Sequence, residues 1–147
     1  MKILVETLVK SDAETVWNAW TDPEDIKQWN AASDDWHTTS SRVDLQVGGE
    51  MSSRMEAKDG SIGFDFTASF TKIELHRLIE FNLEDGRHVR VEFLREANGV
   101  RVREAFDADP QNAPDMQRQG WQAILDNFTR HVEAKPQGQV VETQGAT

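Results

Sequence analysis

PDMQRQGWQAILDNFTRHVE, from Pro114 to Glu133, is the stretch whose periodicity decides the fold. Met116, Gly120, Trp121, Ile124, Leu125, Phe128 and Val132 recur at helical spacing and form one apolar stripe. Gln117, Arg118, Gln122, Asp126, Arg130 and Glu133 fall largely off it. Such a helix is about 30 Å long, the width of a small domain. Gly120 costs helix stability, roughly 1 kcal/mol against alanine, and so predicts a close approach by another backbone. Two readings of the stripe stand side by side: a core helix lying on a sheet, and one wall of a ligand cavity.

Upstream of this helix, alternation takes over. Lys2 to Lys10 reads as a first strand. Ser11 and Glu14 then have the spacing of a capping box, opening a short helix through Val16, Trp17, Ala19 and Trp20. Asp22-Pro23 restarts a second short helix with Ile26 and Trp29 as its apolar contacts. Asn30 to Thr39 reads as polar and irregular. Strands follow over 42–47, 50–57, 63–73, 78–83, 88–94 and 100–106, punctuated by Gly48-Gly49, Lys58-Asp59-Gly60, Glu84-Asp85-Gly86 and Asn98-Gly99. Asn98-Gly99 is the strongest hairpin signal, because both residues tolerate the positive φ of a type I′ turn. The order is therefore strand, two short helices, six antiparallel strands and a long helix. This is an α+β, helix-grip arrangement: a curved antiparallel sheet wrapped around the C-terminal helix. One domain spans 1–134, and 135–147 is polar, aperiodic and read as a disordered tail.

Composition removes several function classes. A chain of 147 residues buries about 68–70% of its unfolded surface and needs no metal or disulfide to fold. It has no cysteine, which excludes disulfides, thiolate catalysis and thiolate metal sites. The net charge of -10, from 26 acidic and 16 basic residues, argues against nucleic acid and against anionic membranes. Neither a signal peptide nor a run of ~20 apolar residues is visible, so a cytoplasmic location is expected. His37, His76, His88 and His131 show no metal-ligand spacing, and Gly60-Ser61-Ile62-Gly63 is a turn, not a nucleophile elbow. No cofactor and no catalytic residue is assigned.

Particular words in this order resemble the START-like (SRPBCC, Bet v 1-like) superfamily, and within it the group related to the C-terminal domain of the activator of Hsp90 ATPase. They are Val16-Trp17-Asn18-Ala19-Trp20-Thr21-Asp22-Pro23, Trp29, Val47-Gly48-Gly49-Glu50-Met51, Phe70-Thr71-Lys72-Ile73, Arg77-Leu78-Ile79-Glu80-Phe81 and Gly120-Trp121. The likeness covers about residues 2–134. It departs from the family at Ser11-Asp12-Ala13, where a proline is usual, and at Glu74-Leu75-His76-Arg77, where a proline-rich turn is common. The resemblance implies a cavity between sheet and long helix that holds a hydrophobic molecule.

The residues expected to line that cavity are Trp29, Trp36, Met51, Met55, Phe64, Phe66, Phe81, Phe93, Trp121 and Leu125. Aromatic rings suit an apolar ligand and methionines adapt to its shape. The same residues would equally fill an ordinary core. Glu80, Arg90, Glu92, Arg103 and Glu104 sit in strands beside apolar neighbours, and parity favours the outer face for them. A carboxylate turned inward instead would have its pKa raised and could transfer protons. The leading expectation is a non-enzymatic binding domain for a hydrophobic small molecule, associated with stress and existing as a monomer or weak dimer. The alternatives are an interaction module with a chaperone as partner, and a cyclase- or hydrolase-like enzyme.

Overall fold

The order of elements follows from where each run of alternation meets a cap or a turn. A computed structural model describes residues 1–135. It comprises β1 (Lys2–Val9), α1 (Ala13–Thr21), α2 (Pro23–Trp29), β2 (Trp36–Val43), β3 (Glu50–Ala57), β4 (Gly63–Glu74), β5 (Leu78–Leu83), β6 (His88–Glu96), β7 (Gly99–Asp107) and α3 (Pro114–Glu133). The strands form one antiparallel sheet in the order β1-β7-β6-β5-β4-β3-β2. Register shifts interrupt the pairing between Thr38 and Ser40 and between Phe70 and Lys72. Such irregularities bend a sheet and increase its twist. The expected tail lies outside the described residues except for Lys135, whose ammonium reaches Asp25 at 2.8 Å.

Three expectations are corrected. The first helix is capped by Asp12, whose carboxylate accepts from the Thr15 amide at 2.8 Å, not by Ser11. The second strand begins at Trp36 and ends at Val43, earlier than the alternation of Val43, Leu45 and Val47 implied. Thr38, Thr39, Ser40 and Ser41 make an edge strand bonded only to β3, so half of its backbone faces solvent and no apolar alternation is required. Leu45 and Val47 lie in the turn beyond it, exposed. There Gly48 takes φ 87°, and the Gly48 amide and Gly49 carbonyl pair with Phe70 at 2.9 Å.

The third correction concerns α3. Leu125, Phe128 and Val132 are buried, whereas Met116 is 71% exposed, so the stripe starts a turn later than its sequence suggests. Among the described residues nothing outside its own helical turn lies within 4 Å of where a Gly120 Cβ would stand, so no other described backbone approaches it. The helix is moored to β1 by polar contacts: Thr7 and Thr129 hydroxyls at 2.8 Å, and Gln122 Nε2 donating to the Glu6 carbonyl at 3.1 Å. Gln117 fixes its entry, accepting from the Asp109 amide at 2.7 Å and donating to the Asp109 carbonyl at 2.8 Å. At the far end, His131 meets Asp25 of α2 at 2.8 Å.

The core cluster gathers the inner parity of β1, β5, β6 and β7 under α1, α2 and α3, from Ile3 and Val5 through Ile79, Val91 and Val102 to Phe128. Gly120→Ala is expected to stabilise the protein by about 1 kcal/mol, since it gains helix propensity and meets no obstacle. A thermal scan should show a rise of roughly 2–4 °C. Gly49→Ala should lower the midpoint, because its Cβ would stand 2.2 Å from the Asp44 carbonyl.

Candidate functional site

A cavity of about 260 Å³ opens between the sheet and α3. Its far wall is made by the short helices. Trp29 is buried, with its indole N–H donating to the Ala19 carbonyl at 3.0 Å, and its ring lies 5.0 Å from that of Trp20. Phe128 meets both edge-on, 5.0 Å from Trp20 and 4.9 Å from Trp29. From the sheet come Met51, Ser53 and Met55 on β3, Phe64 and Phe66 on β4, and Phe81 on β5. From α3 come Trp121 and Ile124, with Trp121 stacked on Phe106 at 3.8 Å and 11°. Phe64 is 48% exposed and marks the mouth.

Trp29, Met51, Met55, Phe64, Phe66, Phe81 and Trp121 thus meet around one space. Trp36, Phe93 and Leu125 are placed elsewhere. Trp36 stands on the edge strand beside Phe64, rings 5.8 Å apart, and faces a separate open cleft beside Lys27, Lys58 and Arg130. Phe93 packs behind the wall against Trp17 at 5.2 Å and Trp20 at 6.0 Å. Leu125 is 1% exposed in the core, one helical step of about 100° round from Ile124.

The wall also holds residues that the sequence reading did not assign to it: Trp20, Ile26, Asn30, Val43, Ser53, Ile124 and Glu104. Most of their polar groups are engaged. Asn30 Nδ2 donates to Met55 Sδ at 3.4 Å, and the Asn30 carbonyl accepts from the buried Thr38 hydroxyl at 2.8 Å. The Ser53 and Ser41 hydroxyls pair at 3.2 Å.

Glu104 is different, and it overturns the outward expectation made for it. It shares the inner parity of β7 with Val100, Val102 and Phe106, between Val5 of β1 and Val91 of β6. It is 7% exposed, and no hydrogen bond or ion pair from a described residue reaches its carboxyl. Burial pushes its pKa up to about 8, so it is mostly protonated at neutral pH. The signal was present in the sequence, in the phase of Glu104 with Val102 and Phe106. Glu80, Arg90 and Glu92 do lie on the other face, paired: Glu80 accepts from Arg90 at 2.6 Å and meets His88 at 2.7 Å. Partial burial opposes the ionisation of Glu80, yet His88 and Arg90 prevail and hold its carboxyl below the usual range.

A curved seven-stranded antiparallel sheet gripping a long C-terminal helix, with two short helices after the first strand, defines the START-like, helix-grip class. Residues 10–133 match the family described as "Activator of Hsp90 ATPase homolog 1-like protein", and the chain belongs to that family. Its fold is similar to the solution structure of an AHSA1-like protein from Aeromonas hydrophila, with 54% identity, 91% of this chain and 93% of that one covered, and a TM-score of 0.87. It is similar also to Chr148 from Cytophaga hutchinsonii, with 35% identity, 99% and 94% coverage, and a TM-score of 0.78. CV1439 from Chromobacterium violaceum shares the fold at 17% identity, 92% and 99% coverage, and a TM-score of 0.79. A comparison with curated proteins gives no match. Among the described residues no helix is long and apolar enough to cross a membrane.

The state of Glu104 sets a stability test. Its folded pKa stands above the ordinary carboxylate value, so between about pH 4.5 and 8 the native state binds a proton that the unfolded state releases. Stability from this group is therefore undiminished below the unfolded value, and falls as pH rises towards 8, by a few kcal/mol in order of magnitude. Urea unfolding of wild type and Glu104→Gln across this window should show a stability difference that grows with pH in favour of the variant. A constant difference would mean that Glu104 ionises normally.

Proposed function

We propose that this chain binds one compact hydrophobic molecule in the cavity between the sheet and α3. The observation that carries the reading is a space of about 260 Å³ walled by Trp20, Trp29, Phe66, Phe81 and Trp121, with two methionines at the β3 end. Sites for drug-sized ligands run from about 300 to 1,000 Å³ and are lined mainly by apolar and aromatic groups, with few polar ones. This cavity lies just under that range, so its occupant is small. The half-exposed Phe64 provides the entrance. Binding is non-enzymatic in this reading. A chaperone-binding role rests on the family's name, and no surface feature of the described residues favours it.

Native mass spectrometry of the purified protein, with a denatured control, should reveal a non-covalent adduct of low mass, or one after incubation with a lipid and aromatic fragment mixture. Ile124→Trp adds bulk to the wall and should weaken affinity by about tenfold, equivalent to about 1.4 kcal/mol. Its fold should be retained by circular dichroism. An apo mass under every condition, in protein that remains folded, would remove the small-molecule reading.

A further inference from the structure

Resting on that small-molecule reading, the geometry points to Glu104 as the residue that chooses the ligand. We propose that the cavity takes a compact apolar molecule carrying a hydrogen-bond acceptor, a carbonyl or ether oxygen, to which the Glu104 carboxyl donates. Three observations meet here. The carboxyl lies in the cavity wall, it is nearly fully buried, and it has no partner among the described residues. The other polar groups around it are already engaged: the Trp29 indole on Ala19, the Asn30 amide on Met55 and the Ser53 hydroxyl on Ser41.

A buried polar group without a partner is destabilising, and a ligand that supplies the partner recovers that loss. The form of the carboxyl decides which partner. Across the strands it faces Val5 of β1 and Val91 of β6, and it shares the cavity wall with Phe81 of β5, Trp20 of α1, Trp29 of α2, and Trp121 and Ile124 of α3. None of these is titratable, and among the described residues no cation lies in the wall. The group is therefore held as the neutral acid, which presents one O–H donor. A site built around one unmet hydrogen-bonding group discriminates against an isostere that lacks the complement.

The test compares 2-acetylnaphthalene, 2-ethylnaphthalene and 2-naphthylmethylamine, which share size and aromatic body but present an acceptor, no polar group and a cation. Calorimetric titration of the full chain at pH 6.5 should favour the ketone over the hydrocarbon by about tenfold, the equivalent of about 1.4 kcal/mol. At pH 9.5, with Glu104 ionised, that preference should vanish. Glu104→Gln retains an N–H donor and should keep the preference at both pH values, whereas Glu104→Leu should lose it at both. Equal binding of ketone and hydrocarbon by wild type at pH 6.5 would overturn the role of Glu104 and leave the cavity reading intact. Preference for the amine, strengthening towards pH 8, would overturn it in favour of ion pairing. Failure of all three to bind would overturn both.

Discussion

The edge-on contact of Phe128 with Trp20 and Trp29 is the constraint on which the rest of the structure depends. It joins α3 to α1 and α2, and Trp20 carries the contact on to Phe93 of β6. Rings of this size and stiffness pack in few ways, and edge-to-face pairs each add about 0.5–1.5 kcal/mol beyond the area that they bury. The three helices are thereby tied together across the inner face of the sheet, with α3 lying along β1, α1 above β6 and β7, and α2 against β2 at the opposite edge. On the β3–β4 side Met51, Phe64 and Phe66 are only partly covered, beside the buried Ser53 and Met55. The core is thus closed at one end and incompletely filled at the other. The cavity is the consequence of that unequal packing.

The sheet uses its carboxylates in opposite ways on its two faces. On the outer face Glu80 is held ionised by His88 and Arg90, within a ladder that includes Glu92. On the inner face Glu104 has apolar cross-strand neighbours and no counter-ion among the described residues, and burial keeps the same chemical group mostly protonated at pH 7. The difference is environmental, not intrinsic, because both are glutamates in neighbouring regions of one sheet. A neutral acid in an apolar wall destabilises the empty protein, and in our proposal it is the handle by which the cavity selects its ligand. On that proposal structural and functional demands diverge at this residue, as expected where a local rule of core packing is broken.

Much of the fold was legible because strong periodicity coincided with clear punctuation. The long helix, the paired short helices and the strands from β3 to β7 follow from Pro, Gly, Asn-Gly and alternating apolar residues. The edge strand β2 was placed too late, at 42–47, because an edge has no need for two-residue apolar alternation and Asn30 to Thr39 read as polar and irregular. Leu45 and Val47 misled for the converse reason, since apolar residues are tolerated in an exposed turn. Gly120 suggested a close approach that does not exist. In the site, the residues that parity grouped on β3, β4 and β5 border one space. Parity cannot separate the wall of a cavity from the core behind it, which is why Phe93 and Leu125 were grouped with it. Glu104 was treated together with its outward neighbours, although its own phase with Val102 and Phe106 pointed inward.

The most direct measurement is an NMR titration of protein carrying 13C-labelled methionine methyl groups with 2-ethylnaphthalene. Met51 and Met55 line the cavity, while Met1 and Met116 are 79% and 71% exposed and serve as internal controls. The account predicts saturable shifts at Met51 and Met55, following one binding curve, with Met1 and Met116 unmoved. Saturating shifts at Met116 or Met1 alone, or no saturable shift at any of the four, would contradict a ligand-binding cavity beneath the long helix.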